Sequence, residues 1–127
     1  MFDKIVMIKK RLKSFGYAGK GIKFFFVTQP HAKVHTVMAF MAIVLGIGFD
    51  IARTDWLAIV VAIGLVLVAE TTNTALEELV NFVSPDYHKQ AGIVKDIAAG
   101  AVLLAAITAL VIGVLVFLPQ IVKLIQT

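Results

Sequence analysis

A single long segment, apolar in its first half and polar in its second, constrains this chain more than any other feature. Residues 56–69 carry no charge, and residues 70–81 hold three glutamates, two asparagines and three threonines without a proline or a glycine. The absence of a helix breaker predicts one continuous helix. At about 3.6 residues per turn, five polar side chains fall within an arc of about 100° and form what we call the polar stripe: Glu70, Asn73, Thr74, Glu77 and Asn81. Carboxylates at the edge of a membrane span are costly unless they face protein, water or a cation, so the stripe is a candidate functional site.

The composition places this segment in a membrane protein. The chain has 127 residues, of which 60% are hydrophobic, and a mean hydropathy of +0.94, well above that of a soluble domain. It has no cysteine, which excludes disulfides, thiolate metal sites and a cysteine nucleophile. Eight of its twelve lysines and arginines precede Val34. In so apolar a chain this bias indicates membrane orientation or anionic lipid, and no nucleic-acid partner is expected.

An amphipathic helix is predicted over about residues 1–27, lying in the membrane interface with its lysines near lipid phosphates. Four apolar side chains fall within about 80° of one another on a helical wheel: Ile5, Ile8, Leu12 and Phe15. The alternative is a soluble helix that packs on a partner. Three glycines then interrupt the pattern and are expected to permit a bend or a close approach to a ligand: Gly16, Gly19 and Gly21.

Three transmembrane spans are predicted, at about residues 31–50, 56–83 and 95–118, within a single all-α domain that covers residues 1–127. The charge-free part of the second span covers only roughly 21 Å. A hydrocarbon core is about 30 Å thick, so Glu70 is expected inside the far boundary. Three polar residues near the start of the first span are expected at the level of the lipid headgroups, as anchors rather than metal ligands: His31, Lys33 and His35.

The distribution of positive charge predicts the orientation of these spans. In a three-span protein the N-terminal segment and the loop with Lys89 and Lys95 share one side of the membrane, whereas the other side holds Arg53 and Lys123. The positive-inside rule then places the N-terminus in the cytoplasm and the C-terminus outside. Pro119 and Lys123 are expected to mark the end of the third span. The polar stripe therefore opens to the cytoplasm, where nucleotides and Mg²⁺ are found.

The charged groups near this boundary are those needed for phosphoryl transfer at a bilayer surface. A carboxylate in a low-dielectric site can act as a general base, and a second one nearer to water can hold Mg²⁺. A lysine beside them can neutralise phosphate oxygens, and the acceptor would be a lipid alcohol. Such stripes also line ion pathways and polar contacts between spans. The residues alone therefore leave three functions open: an enzyme, a channel or transporter subunit, and a structural membrane protein. The charged groups on which all three interpretations depend are Glu70, Glu77, Lys95 and Asp96.

Four blocks of the sequence resemble the small prokaryotic diacylglycerol kinase family, which includes the undecaprenol kinases. Residues 14–21 read SFGYAGKG, residues 69–77 read AETTNTALE, residues 84–88 read SPDYH and residues 95–104 read KDIAAGAVLL. Together they extend the resemblance over nearly the whole chain. It implies a lipid kinase of the bacterial inner membrane that uses ATP and Mg²⁺. It also implies a homotrimer of three-span protomers with active sites shared between neighbours.

The resemblance also implies roles for individual residues. Glu70 would be the base that activates the lipid hydroxyl, supported by Asn73 and Asp96, and Glu77 would bind the Mg²⁺ carried with ATP. Contacts to the lipid substrate are expected at Glu70, Ala99 and Trp56. Contacts to the nucleotide are expected at Lys10, Tyr17, Gln29, Glu77, Asp86, Tyr87, His88, Lys95 and Asp96.

Three positions depart from the family pattern. Gln29 stands where the family commonly has a second metal-binding glutamate, Asn81 where it usually has an aspartate, and Lys10 where an arginine can occur. A neutral amide is a weaker Mg²⁺ ligand than a carboxylate. The expectation that Gln29 is a second metal ligand therefore rests only on its position in the sequence. The Ser84-Pro85 pair looks more like the undecaprenol kinase branch. The expected reaction is undecaprenol to undecaprenyl phosphate, with diacylglycerol to phosphatidic acid as the alternative.

Overall fold

The computed structural model describes residues 2–126, and all regular secondary structure in that part of the chain is α-helical. Three of the helices, with 19, 31 and 38 residues, are long and apolar enough to cross a membrane. The fold is therefore all-α with three candidate spans. In chain order the helices are α1 (Phe2–Thr28), α2 (Pro30–Gly48), α3 (Arg53–Val83) and α4 (Lys89–Gln126).

The first helix, α1, runs without a break through the three glycines that were expected to permit a bend or a close approach. An added Cβ at Gly16, Gly19 or Gly21 would meet nothing within 4 Å, so no close approach requires a glycine there. Nearly every side chain of α1 is exposed, and Phe25 is its buried residue. The helix therefore meets the rest of the protein at its C-terminal end.

A single extended residue, Gln29, separates α1 from α2 and makes the turn between them. Its backbone N–H donates to Phe25 O at 3.0 Å, and its carbonyl accepts from the N–H of Ala32 at 3.2 Å. Pro30 occupies the first turn of α2, where its fixed φ suits a helix start and its missing N–H costs nothing. Phe25 and Ala32 are almost completely buried. This junction is therefore packed against the remainder of the bundle.

The connection between α2 and α3 is short and tightly packed. Asp50 adopts a left-handed backbone conformation with φ of 49°, and the N–H of Ile51 donates to Gly46 O at 3.1 Å. A Cβ on Gly46 would lie 2.7 Å from Cη2 of Trp56, so only glycine allows the indole this close. The helix α3 begins at Arg53, three residues before the predicted start at Trp56. Residues 53–55, which were expected in the connection, form its first turn.

The helices α3 and α4 form an antiparallel pair with the most extensive contact in the protein. The buried residues of α3 recur every three or four positions, as one face of a helix must: Ile59, Ala62, Val66, Glu70 and Thr74. This face is apolar near the α2–α3 connection, where Ile51, Ile59 and Val116 form a core cluster. It becomes polar at Glu70, which places the start of the polar stripe inside the bundle.

The last helix, α4, is longer at both ends than the predicted third span. It begins at Lys89, so Lys95 and Asp96 lie inside its second turn rather than in the preceding loop. It also continues through Pro119 to Gln126. A proline within a helix removes one backbone hydrogen bond, but neighbouring structure can satisfy the freed group, so the helix extends beyond the predicted end of the span at Pro119 and Lys123.

Candidate active site

The centre of the site is a buried carboxylate at the point where α3 changes from apolar to polar. Glu70 is only 7% exposed. Its Oε1 lies 2.6 Å from Nε2 of His35 on α2, and its backbone carbonyl accepts a hydrogen bond from Oγ1 of Thr74 at 3.0 Å. A buried carboxylate is costly without a partner. The imidazole provides that partner, so α2 and α3 build the centre together.

One turn further along α3, an asparagine and a glutamate form a second polar group. Nδ2 of Asn73 donates to Oε1 of Glu77 at 3.2 Å. The Oδ1 atom of Asn73 is buried and has no hydrogen-bond partner among the described residues. A buried polar atom left unpaired costs free energy, and such atoms occur where a ligand or ion completes the site. The Asn73–Glu77 pair therefore has one hydrogen-bond acceptor, Oδ1 of Asn73, without a partner among the described residues and next to a carboxylate.

The C-terminal end of the stripe, at Asn81, is joined to α4 by a lysine. Nζ of half-buried Lys95 donates to Oδ1 of Asn81 at 2.7 Å. The acceptor is a neutral amide rather than a carboxylate, so this contact is a hydrogen bond and not an ion pair. Asp96 follows it on α4 and is exposed.

A small cavity lies beside Lys95, under the loop that joins α3 to α4. Its volume is about 190 Å³, and it is lined by Asn81, Asp86, Tyr87, His88 and Lys95 among others. The loop is ordered by local hydrogen bonds: the Ser84 hydroxyl donates to the Asp86 carbonyl, and the N–H of Gln90 donates to Nδ1 of His88, both at 3.2 Å. The structure thus brings four of the residues predicted to contact the nucleotide around one cavity.

A larger groove runs between α2, α3 and α4 on the other side of His35. Its volume is about 460 Å³. Its walls are apolar, with side chains such as Met38, Ile59, Leu110 and Phe117, and His35 is the titratable side chain that lines it among the described residues. The site is therefore bordered by an apolar space on one side and a polar cavity on the other.

Residues 16–117 match the family model described as prokaryotic diacylglycerol kinase, which is more than half of the chain. The chain belongs to this family of lipid kinases. The resemblance found in the sequence is thereby confirmed, and the channel and structural alternatives are replaced by an integral membrane kinase.

Similar proteins are named either undecaprenol kinase or diacylglycerol kinase. The chain is 33% identical over 113 residues to an undecaprenol kinase of Bacillus subtilis, covering 89% of this chain and 92% of that protein. It is 38% identical over 114 residues to a diacylglycerol kinase of Synechocystis, covering 89% of this chain and 65% of that protein. It is 27% identical over 100 residues to a diacylglycerol kinase of Escherichia coli, covering 79% of this chain and 82% of that protein.

Phosphoryl transfer by kinases is typically assisted by a metal ion. No group of three His, Asp or Glu side chains among residues 2–126 is arranged to hold one. Mg²⁺ in phosphoryl-transfer sites is usually bound by one or two carboxylates together with the substrate phosphates. Glu77, beside the unpaired Oδ1 of Asn73, fits that arrangement. The donor set suits a metal that arrives with the nucleotide rather than a closed protein site.

Several residues that were predicted to belong to the site lie away from Glu70 and the polar stripe. Lys10 and Tyr17 are exposed on α1, and within residues 2–126 no hydrogen bond or ion pair joins either to the polar stripe. Ala99 is exposed on α4. Trp56 precedes Glu70 on α3 by about 21 Å of helix and packs against Gly46, at the opposite end of the bundle.

Sequence reasoning missed His35, which was expected at the headgroup level as an anchor. Its contact with Glu70 depends on how α2 and α3 align, which neither segment shows alone. A signal was present in the short connection, which forces the two helices to be antiparallel. Starting from the contact of Gly46 with Trp56, three to four turns outward along both helices reach His35 and Glu70.

Proposed function

We propose that this protein transfers the γ-phosphate of ATP to the hydroxyl of undecaprenol in the bacterial cytoplasmic membrane. The observation that carries the proposal is the buried carboxylate of Glu70, placed where an apolar helix face becomes polar. The undecaprenol kinase of Bacillus subtilis, aligned over 92% of its length, supports this acceptor. The diacylglycerol kinases of Synechocystis and Escherichia coli make diacylglycerol the second candidate.

In this reaction Glu70 accepts the proton of the lipid hydroxyl as the oxygen attacks the γ-phosphorus. Its Oε1 is held by His35, which leaves the other carboxylate oxygen for the proton. Because the side chain is buried within the bundle, the acceptor hydroxyl has to reach it from the membrane side. This favours a lipid alcohol over a soluble one. Positioning and proton removal are the main tasks of the protein in such a transfer.

The residues nearer to the cytoplasm hold the other substrate. Glu77 would hold the metal that accompanies ATP, with Asn73 orienting the carboxylate through the bond to its Oε1. Bound Mg²⁺ neutralises charge that develops on the phosphoryl oxygens. Lys95, fixed by Asn81, places a positive charge next to the phosphates, and Asp96 organises the site from the following position.

The complete enzyme in this proposal is a homotrimer with shared sites. Lys10 and Tyr17 would then contact a nucleotide held by a neighbouring protomer, which agrees with their separation from the stripe in one chain. Each protomer is one kinase domain with an amphipathic surface helix, about residues 1–27, and a cytoplasmic N-terminus. Chemical cross-linking in membranes should give a ladder that ends at three protomers, and an active, stable monomer would contradict shared sites.

The acceptor is tested by offering both lipids to the purified protein. Undecaprenol and diacylglycerol are supplied at equal mole fraction in mixed detergent micelles with ATP and Mg²⁺, separately and in competition, and the labelled products are separated and counted. The proposal expects undecaprenyl phosphate as the main product in both formats. Preferential formation of phosphatidic acid would replace the acceptor by diacylglycerol while leaving the kinase in place.

A further inference from the structure

We infer that His35 is a positioning residue for the general base: its imidazole donates a hydrogen bond to one carboxylate oxygen of Glu70 and thereby aims the second oxygen at the acceptor hydroxyl. The inference rests on the proposed function, because it assigns a partner to the base of that reaction. It adds a residue of α2 to a site otherwise built from α3, α4 and their connecting loop.

The contact has the geometry of a charge-assisted hydrogen bond. The separation of 2.6 Å between Nε2 and Oε1 is at the short end of such bonds, and both side chains are mostly buried, at 18% and 9% exposure. A carboxylate oxygen accepts, so the nitrogen that faces it carries the proton. With Oε1 engaged, Oε2 is the oxygen left to take a proton from the substrate.

The backbone of α2 is held in place for this contact. Ala32, one turn before His35, is fully buried at 0% exposure. Its carbonyl accepts a hydrogen bond from the Thr36 hydroxyl at 2.7 Å. Pro30 fixes the start of the same helix. The imidazole is therefore delivered by a rigid helical turn rather than by a mobile loop.

Among the described residues, the side-chain polar contact of the His35 imidazole is the carboxylate of Glu70. Helix α2 is contacted by α1, α3 and α4. Of these, α3 supplies Glu70, and α4 carries no titratable side chain between Asp96 and Lys123. On α2 itself, His31 and Lys33 are exposed. His35 also lines the apolar groove, whereas Glu70 does not. The imidazole thus lies between the groove and the carboxylate.

The test compares three variants of the full-length protein in mixed micelles. His35→Ala should lower kcat for lipid phosphorylation by about 10- to 100-fold, the size expected for loss of a hydrogen bond to a charged group. The KM for ATP should change by less than about twofold, because ATP phosphates are bound further along the stripe. His35→Gln keeps an N–H donor near the position of Nε2 and should recover most of kcat. His31→Ala, an exposed histidine one turn away, should behave as wild type.

The outcomes separate this inference from the proposed function. No transfer by the wild-type protein to any lipid alcohol would reject the function itself. Transfer by the wild type that is unaffected by His35→Ala would reject His35 alone. The same rejection follows if ATP KM rises as much as kcat falls, or if the folded glutamine variant is as slow as the alanine variant.

A measurement that does not depend on activity covers the case in which the alanine variant fails to fold. The protein has three histidines, so ¹⁵N-histidine labelling gives few signals in solid-state NMR spectra of the membrane-embedded protein. The Nε2 signal of His35 should shift in Glu70→Gln, whereas the signals of His31 and His88 should not. Unchanged spectra for all three histidines would overturn the contact.

Discussion

The two ends of the α2–α3–α4 bundle are made by the same helices and are built in opposite ways. At the connection end, around residues 49–52, the contacts are apolar: Ile51, Ile59 and Val116 form a cluster, and the indole of Trp56 covers Gly46. At the stripe end the contacts are hydrogen bonds between side chains of different helices or successive turns. One end is closed by packing, and the other retains groups that can act on a ligand.

One helix, α3, contributes both to the packed end and to the polar end of the bundle. The buried face of α3 is continuous, yet its residues change from Ile59 and Val66 to Glu70 and Thr74. The apolar end fixes the antiparallel alignment of α2 and α3. That alignment in turn brings His35 to Glu70. Stability is therefore concentrated at the connection end and chemistry at the stripe end.

The largest expected effect comes from Glu70→Gln. The amide keeps the shape of the side chain but cannot take the proton, so kcat should fall by roughly 10²- to 10⁴-fold while the thermal midpoint stays close to that of wild type. Glu78→Gln is the matched control, because Glu78 is exposed on the same helix and outside the stripe. Turnover of both variants in mixed micelles, with circular dichroism melting, measures the difference. A fully active Glu70→Gln would remove this residue from the mechanism.

The connection end should respond mainly in stability, with a smaller effect on turnover. Gly46→Ala places a Cβ 2.7 Å from the Trp56 ring, and overpacking of this kind typically costs about 1–3 kcal/mol. Gly48→Ala is the control, since a Cβ there meets nothing within 4 Å. Denaturation of both in detergent should show only Gly46→Ala destabilised, with kcat of the folded protein reduced far less than by Glu70→Gln. Equal stability of the two variants would argue against the close packing of α2 on Trp56.

A smaller effect is expected from restoring a carboxylate at the turn before α2. If Gln29 borders the metal that accompanies ATP, Gln29→Glu should lower the Mg²⁺ concentration for half-maximal activity several-fold, because carboxylate oxygens bind Mg²⁺ better than an amide. Gln90→Glu makes the same chemical change on exposed α4 and should leave the titration unchanged. Identical Mg²⁺ titrations for wild type and Gln29→Glu would place Gln29 outside the metal site.

The smallest expected effect concerns the lysine at the open end of the stripe. Asn81→Ala removes the acceptor that lies 2.7 Å from Nζ of Lys95, so the KM for ATP should rise by about threefold, with little change in kcat. Asn81→Asp retains an acceptor oxygen and should stay closer to wild type. Steady-state kinetics over a range of ATP concentrations separates the two. A larger loss in Asn81→Asp than in Asn81→Ala would show that orientation of Lys95 matters less than its net charge.

Much of this architecture follows from local sequence. The uninterrupted run through Glu70 predicts a single helix, and α3 extends over it from Arg53 to Val83. The family motifs predict a membrane-embedded lipid kinase, and the family assignment confirms that prediction. These features are encoded within short segments or in the residues nearest to the chemistry, so a reader of the sequence alone can reach them.

Other features depend on how segments meet and could not be predicted in the same way. The bond from His35 to Glu70 is set by the packing of α2 on α3, and the role of Gly46 is visible only with the Trp56 ring against it. At two places a glycine or a proline lies inside a helix. The helix α1 continues through Gly16, and α4 continues through Pro119, because neither residue stops a helix by itself.

The account is tested most directly by transfer of labelled γ-phosphate from ATP to undecaprenol by the purified protein, with and without Mg²⁺. Glu70→Gln serves as the negative control. The account predicts labelled undecaprenyl phosphate that requires both the metal and the glutamate. Folded wild-type protein that labels neither undecaprenol nor diacylglycerol would contradict it, and the polar stripe would then have to serve a non-catalytic purpose in the membrane.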